Sequence, residues 1–122
     1  MTSLSIHQKS ILGARRRNNI FGEVSDYILS SFLALGGDGI IYNPSEQSVI
    51  SLIGRTNNKL YFIRLVYEES DTEKIKVDNL SLDDFIEISK LANAEPIVAI
   101  ARAYSKKCKY YTANGNKVPS FL

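Results

Sequence analysis

Apolar residues set the first clear pattern in this chain. Ile20, Val24, Ile28, Phe32 and Leu35 recur at helical spacing, and Phe21 and Tyr27 widen the stripe. Gly36 and Gly37 predict where that helix stops, because glycine tolerates the left-handed cap conformation. A short strand, Gly39 to Tyr42, and the turn signal Asn43-Pro44-Ser45 come next. Ser48 to Ile53 reads as a second strand. Gly54 to Lys59 reads as a hairpin loop in which Asn57 and Asn58 suit positive φ. Leu60 to Tyr67, rich in aromatic and β-branched residues, reads as a third strand, with an acidic loop from Glu68 to Asp78 behind it.

The second helix carries the fullest set of local signals. Ser81 is the expected N-cap, Asp84 stands three residues on in the capping-box position, and Leu80 is placed to staple onto Phe85. Phe85, Ile88, Leu91 and Ala92 form the expected apolar stripe, and Pro96 closes the helix. Ile97 to Ala101 is an apolar run of strand length, Lys109 to Thr112 is a final strand, and Asn114-Gly115-Asn116 opens a polar tail. The predicted order is α-β-β-β-α-β-β, a small α/β domain with a mixed β-sheet flanked by helices. Residues 1–19 are expected to form a basic arm, 20–113 the domain and 114–122 the tail.

With 122 residues, 44% hydrophobic and 23% charged, the chain suits one globular domain. No apolar run reaches membrane-spanning length, and the polar opening residues do not read as a signal peptide. The single cysteine, Cys108, excludes an intramolecular disulfide and fits a cytoplasmic location. His7 and Cys108 are too few and too far apart for a zinc site, so no metal or cofactor is expected. Gly36, Gly37 and Gly39 make no phosphate loop, since no Gly-Lys-Ser/Thr follows them.

Charge changes the picture more. Lys9, Arg15, Arg16 and Arg17 stand in an acid-free opening segment, and Arg102, Lys106, Lys107, Lys109 and Lys117 in an acid-free closing one. All 13 acids lie between them with six bases, leaving the middle at −7. Such segregation points to basic ends meeting a polyanion, with phosphates the first candidate. Solubilising tails around an acidic domain are the plain alternative. Tyr104 to Tyr111 interleaves Lys106, Lys107 and Lys109 with tyrosines, which suits either a phosphate-and-stacking surface or a strand whose tyrosines pack on the sheet.

The stretch YFIRLVYE, residues 61 to 68, carries the chemical argument. Together with GARRRNNIFGEVSDYIL, SVISLIG and FIEISKLANAEPIVAIA, it resembles the archaeal Holliday junction resolvases of the restriction-endonuclease-like fold. The resemblance covers about Gly13 to Ala113. It implies a metal-dependent nuclease core with a glutamate in the first helix, an aspartate opening the second strand, and glutamate-x-lysine on the third. Residues two apart on a strand share a face, so the last two would address one phosphate together. Here Glu23 matches the first position, while Ser48, Arg64 and Val66 stand at the others. A cation at a ligand position repels a divalent ion. No aspartate lies between Asp38 and Asp71, and no acid stands two residues before any lysine. The resemblance therefore implies a non-catalytic relative, homodimeric, binding branched or double-stranded DNA.

On that reading Lys9, Arg15, Arg16, Arg17, Arg102, Lys106, Lys107 and Lys109 contact phosphates, joined by Arg55 and Lys59 at the hairpin tip. KLYFIRLVYE and DDFIEISKLANAEPIVAIA also look like the core of tRNA-splicing endonucleases. Their catalytic tyrosine, histidine and lysine have no evident counterpart here, which would imply a structural subunit beside a catalytic homologue. The closing Lys117-Val118-Pro119-Ser120-Phe121-Leu122 is either a packed or free terminus or a docking peptide, for example for a sliding clamp through Phe121 and Leu122.

Overall fold

The helical apolar stripe buries itself against a sheet whose strands are recruited one after another along the chain. A computed structural model describes residues 6–44, 48–68, 80–102 and 108–118, with side chains from residue 19 onward up to residue 116. Its elements are α1 (Ile6–Ala34), β1 (Asp38–Ile41), β2 (Leu52–Thr56), β3 (Lys59–Glu68), α2 (Asp83–Leu91), β4 (Glu95–Arg102), β5 (Lys109–Thr112) and β6 (Lys117–Val118). The expected order is found, with one further short strand. All six strands form one sheet in the order β1-β2-β3-β4-β5-β6. β3 and β4 are parallel and every other pair is antiparallel, so the sheet is mixed. A parallel pair needs a crossover, and α2 supplies it.

Two apolar clusters lie on the two faces, as period-two alternation dictates. On one face Phe21, Val24, Ile28 and Phe32 of α1 pack with Ile63, Leu65, Ile97 and Ala99. On the other, Leu82 and Phe85 of α2 pack with Phe62, Val98 and Ile100. α1 approaches its face closely because Gly54 lies beneath Phe32. Gly39, its partner in the β1–β2 ladder, also lies on that face, close to Leu29.

Several local expectations are corrected. α1 starts at Ile6, well before Ile20, so residues 6–19 of the expected arm are helical. It stops as predicted, with Gly36 at φ 78° and the Gly37 N–H on the Phe32 carbonyl at 2.9 Å. Leu35 falls outside the helix and is half exposed. The hairpin loop shrinks to Asn57 and Asn58, at φ 53° and 62°, since Gly54 to Thr56 belong to β2. Paired left-handed residues match the twist of a tight hairpin.

Ser81 does not cap α2: Leu82 holds that position without a side-chain cap bond, and Asp83 and Asp84 complement the helix dipole instead. The helix stops at Leu91 rather than at Pro96, which lies inside β4 opposite Phe62. Asn93 at φ 54° makes the turn. The buried side of α2 is Leu82, Phe85 and Ser89, not Ile88 and Leu91, which are 39% and 83% exposed. Asn114 to Asn116 open no tail. They turn β5 back into β6, with Gly115 at φ 87°.

Candidate nucleic-acid interface

A node at Ser51 separates the strands where the nuclease-like positions were expected. Its N–H donates to the Ile63 carbonyl at 2.8 Å, and its carbonyl accepts from Tyr42 and Asn43 at 2.9 and 3.1 Å. Its hydroxyl accepts the Leu65 N–H at 3.0 Å, where a ladder carbonyl would otherwise serve. Beyond this node residues 48–50 are no longer strand, so β2 begins only at Leu52 rather than at Ser48. Ser48 is buried and lines a groove with Phe62 and Ile53.

Arg64 and Val66 share the α2 face of β3. Val66 packs in the cluster around Phe85, and Arg64 sends Nη1 to the Ser81 carbonyl at 3.4 Å, at the entry to α2. Glu23 is exposed on α1, which covers the opposite face of the sheet. The structure therefore brings Ser48, Arg64 and Val66 to one face and leaves Glu23 apart from them. Among the described residues no group of three His, Cys, Asp or Glu is placed to hold a metal ion.

The basic residues divide between the two ends of the sheet. Arg55 and Lys59 flank the Asn57-Asn58 turn, where β3 begins. Arg102 lies at the other end, opposite Glu68, and Lys109 opens β5 there. The two ends are about 30 Å apart along the ten residues of β3. Phe21 meets Tyr67 edge-on near the Glu68 end, with ring centroids 6.3 Å apart. The helical turns before Phe21, bearing Lys9 and Arg15 to Arg17, thus lead away at the Arg102 end. Lys106 and Lys107 lie outside the described residues, as do Phe121 and Leu122.

Ion pairs engage basic residues at both ends. Lys59 sits 3.7 Å from Glu95 and 5.6 Å from the centre of the Tyr61 ring, so its charge is engaged within the chain. Arg55 stands opposite Asp38 in the β1–β2 register. Arg102 forms an ion pair with Glu68, whose side chain is only 4% exposed. Lys109 is exposed.

Of the interleaved tyrosines, Tyr110 is buried under α1 and Tyr111 packs toward α2, so both serve the sheet. Burial pushes the Cys108 thiol up to about 11, against the opposing effect of its hydrogen bond with Tyr110. The Tyr110 hydroxyl is raised as well, chiefly by burial and then by Cys108. A raised thiol pKa disfavours the thiolate, which is the nucleophilic form.

Sequence reasoning missed the Ser51 node and the Glu68–Arg102 pair. A serine within an apolar strand was the available signal for the first. The second joins residues from separate strands and left no local mark. No helix among the described residues is long and apolar enough to cross a membrane. No protein-family model matches the chain, and no curated protein matches it.

Proposed function

We propose that this protein is a non-catalytic relative of the Holliday junction resolvases, with a restriction-endonuclease-like core, that binds branched or duplex DNA. Arg64 is the observation that carries the reading. A guanidinium held to the Ser81 carbonyl, on one face with Val66 and Ser48, stands at the position where the resemblance calls for a carboxylate. Divalent ions require several oxygen ligands, and this face offers a cation instead. The order of elements from α1 to β5 is the order on which the resemblance rests.

DNA contact belongs to the end of the sheet bearing Lys109 and the N-terminal turns of α1, where Arg102 is held by Glu68. Phosphate contacts of this kind position a protein without reading sequence, so DNA shape supplies the selectivity. The test is a purified four-way junction with Mg²⁺ or Mn²⁺. The protein should bind it, leave it uncut, and lose affinity steeply as salt rises. Metal-dependent cutting that disappears in Glu23→Ala, or no junction binding at low salt, overturns the reading. A structural subunit of a splicing-type endonuclease is the second reading, and the exposed apolar groove beside α2 favours it.

A further inference from the structure

The two edges of the sheet end differently. β6, at one edge, is two residues long and carries Lys117, so it is both short and charged. β1, at the other edge, reads Asp-Gly-Ile-Ile with neither lysine nor proline, and no described strand pairs with its outer side. Proteins usually guard such an edge, because its free N–H and C=O groups template a further strand.

The β1–β2 ladder shows which groups those are. The Tyr42 N–H donates to the Ser51 carbonyl at 2.9 Å, so Tyr42 turns its N–H toward β2. Backbone groups alternate sides along an antiparallel strand, and Ile40 and Asp38 therefore turn the same way. Gly39 and Ile41 are left with their N–H and C=O groups facing outward. An antiparallel copy of β1 engages all of these only when Gly39 stands opposite Ile41 of the copy. The two-fold axis then passes between the two Ile40 residues. A shift by two residues either way would call on Gly37 or Asn43, whose N–H groups are already given to Phe32 and Ser51.

The side chains agree with this register. Ile40 and Tyr42 are 57% and 68% exposed. Pairing sets Ile40 against Ile40, and each Tyr42 against Asp38 of the copy, so no like charges are opposed. On the α1 face, Ile41 of the copy comes opposite Gly39, which has no side chain and lies against Leu29. Leu33, one turn on from Leu29 and 56% exposed, flanks the same edge. Leu33, Ile40 and Tyr42 together expose on the order of 400 Å² of largely apolar surface, about half of the roughly 800 Å² that each partner of a stable interface buries. The edge backbone and the Leu29 turn lie between them and add to it.

We propose that β1 pairs with β1 of a second copy about this axis, joining two six-stranded sheets into one continuous sheet. The pairing rests on strand register and not on the DNA reading above.

Sedimentation equilibrium of the full chain should show a dimer. Ile40→Lys and Ile40→Glu should each dimerise at least tenfold more weakly, since like charges then face one another across the axis. Mixed in equal amounts, the two variants should recover a dimer, because lysine then faces glutamate. With Cys108→Ala, Ile40→Cys should oxidise to a covalent dimer, as the two Ile40 positions form a close cross-strand pair within disulfide reach. Leu91→Asp, on α2 away from the edge, should leave the dimer intact. A monomeric parent overturns the proposal. So does a dimer that Ile40→Lys leaves unchanged, that the mixed charges fail to restore, or that Leu91→Asp dissociates.

Discussion

Phe32 lies directly over Gly54: a Cβ on that glycine would stand 2.6 Å from two carbons of the ring. The contact fixes how closely α1 approaches β2, and Tyr61 on the next strand supports the same ring with centroids 6.0 Å apart. Gly54→Ala should therefore cost about 1–3 kcal/mol through overpacking, although alanine favours strand no less than glycine. Phe32→Ala should cost about 3–5 kcal/mol by leaving a cavity. Chemical denaturation midpoints of the two variants check both values.

Ser51 should be intolerant of a change that is small in volume. Ser51→Ala removes the acceptor of the buried Leu65 N–H and should cost about 1–3 kcal/mol, with local loss of amide protection at Leu65. Ser31→Ala removes a hydroxyl that donates to the Tyr27 carbonyl in its own helix, and should change stability by less than about 0.5 kcal/mol. Hydrogen exchange and denaturation of both variants separate the two cases.

The Glu68–Arg102 pair joins the last residues of the two parallel strands, and its carboxylate is buried. Arg102→Ala removes the cation that faces that buried carboxylate and should destabilise the chain by up to about 3–5 kcal/mol. The double variant Glu68→Leu/Arg102→Leu should recover most of the loss, because a well-packed apolar pair needs no desolvated charge. A double-mutant cycle measures the coupling.

Cys108 should resist alkylation at pH 8 in the folded protein and react readily in denaturant. Its folded pKa, about 11, lies above the ordinary 9.0, so the folded state holds the proton more tightly. The associated stability is fully present below about pH 9 and is lost as pH rises toward about 11. Thermal unfolding should show that decline, and Cys108→Ala should make it shallower.

The two ends of the sheet should contribute unequally to DNA binding. Arg15→Ala, Arg16→Ala and Arg17→Ala together should weaken junction binding and flatten the salt slope by about 0.9 for each lost contact. Arg55→Ala with Lys59→Ala should change it little, since Lys59 is engaged by Glu95 and Tyr61 and Arg55 stands opposite Asp38. Filter binding across a salt series distinguishes them.

The sequence by itself determined what depends on a few neighbouring residues. The β-branched and aromatic content of residues 60–67 and the apolar run 97–101 specified strands, and both are central in the sheet. Gly36 and the Asn57-Asn58 pair marked positive-φ stops, because the steric preference for such backbone belongs to the residue itself. Tertiary structure alone decided which side of α2 is buried. Phe85 could lead a stripe through Ile88 and Leu91 or one through Leu82 and Ser89, and nine residues of sequence fit both. The floor formed by Phe62, Val98 and Ile100 chose the second and left Ile88 and Leu91 beside an open groove. Ser51 as a ladder acceptor and Glu68 opposite Arg102 are likewise products of strand register. Register is set by contacts between distant segments, and no local propensity encodes it.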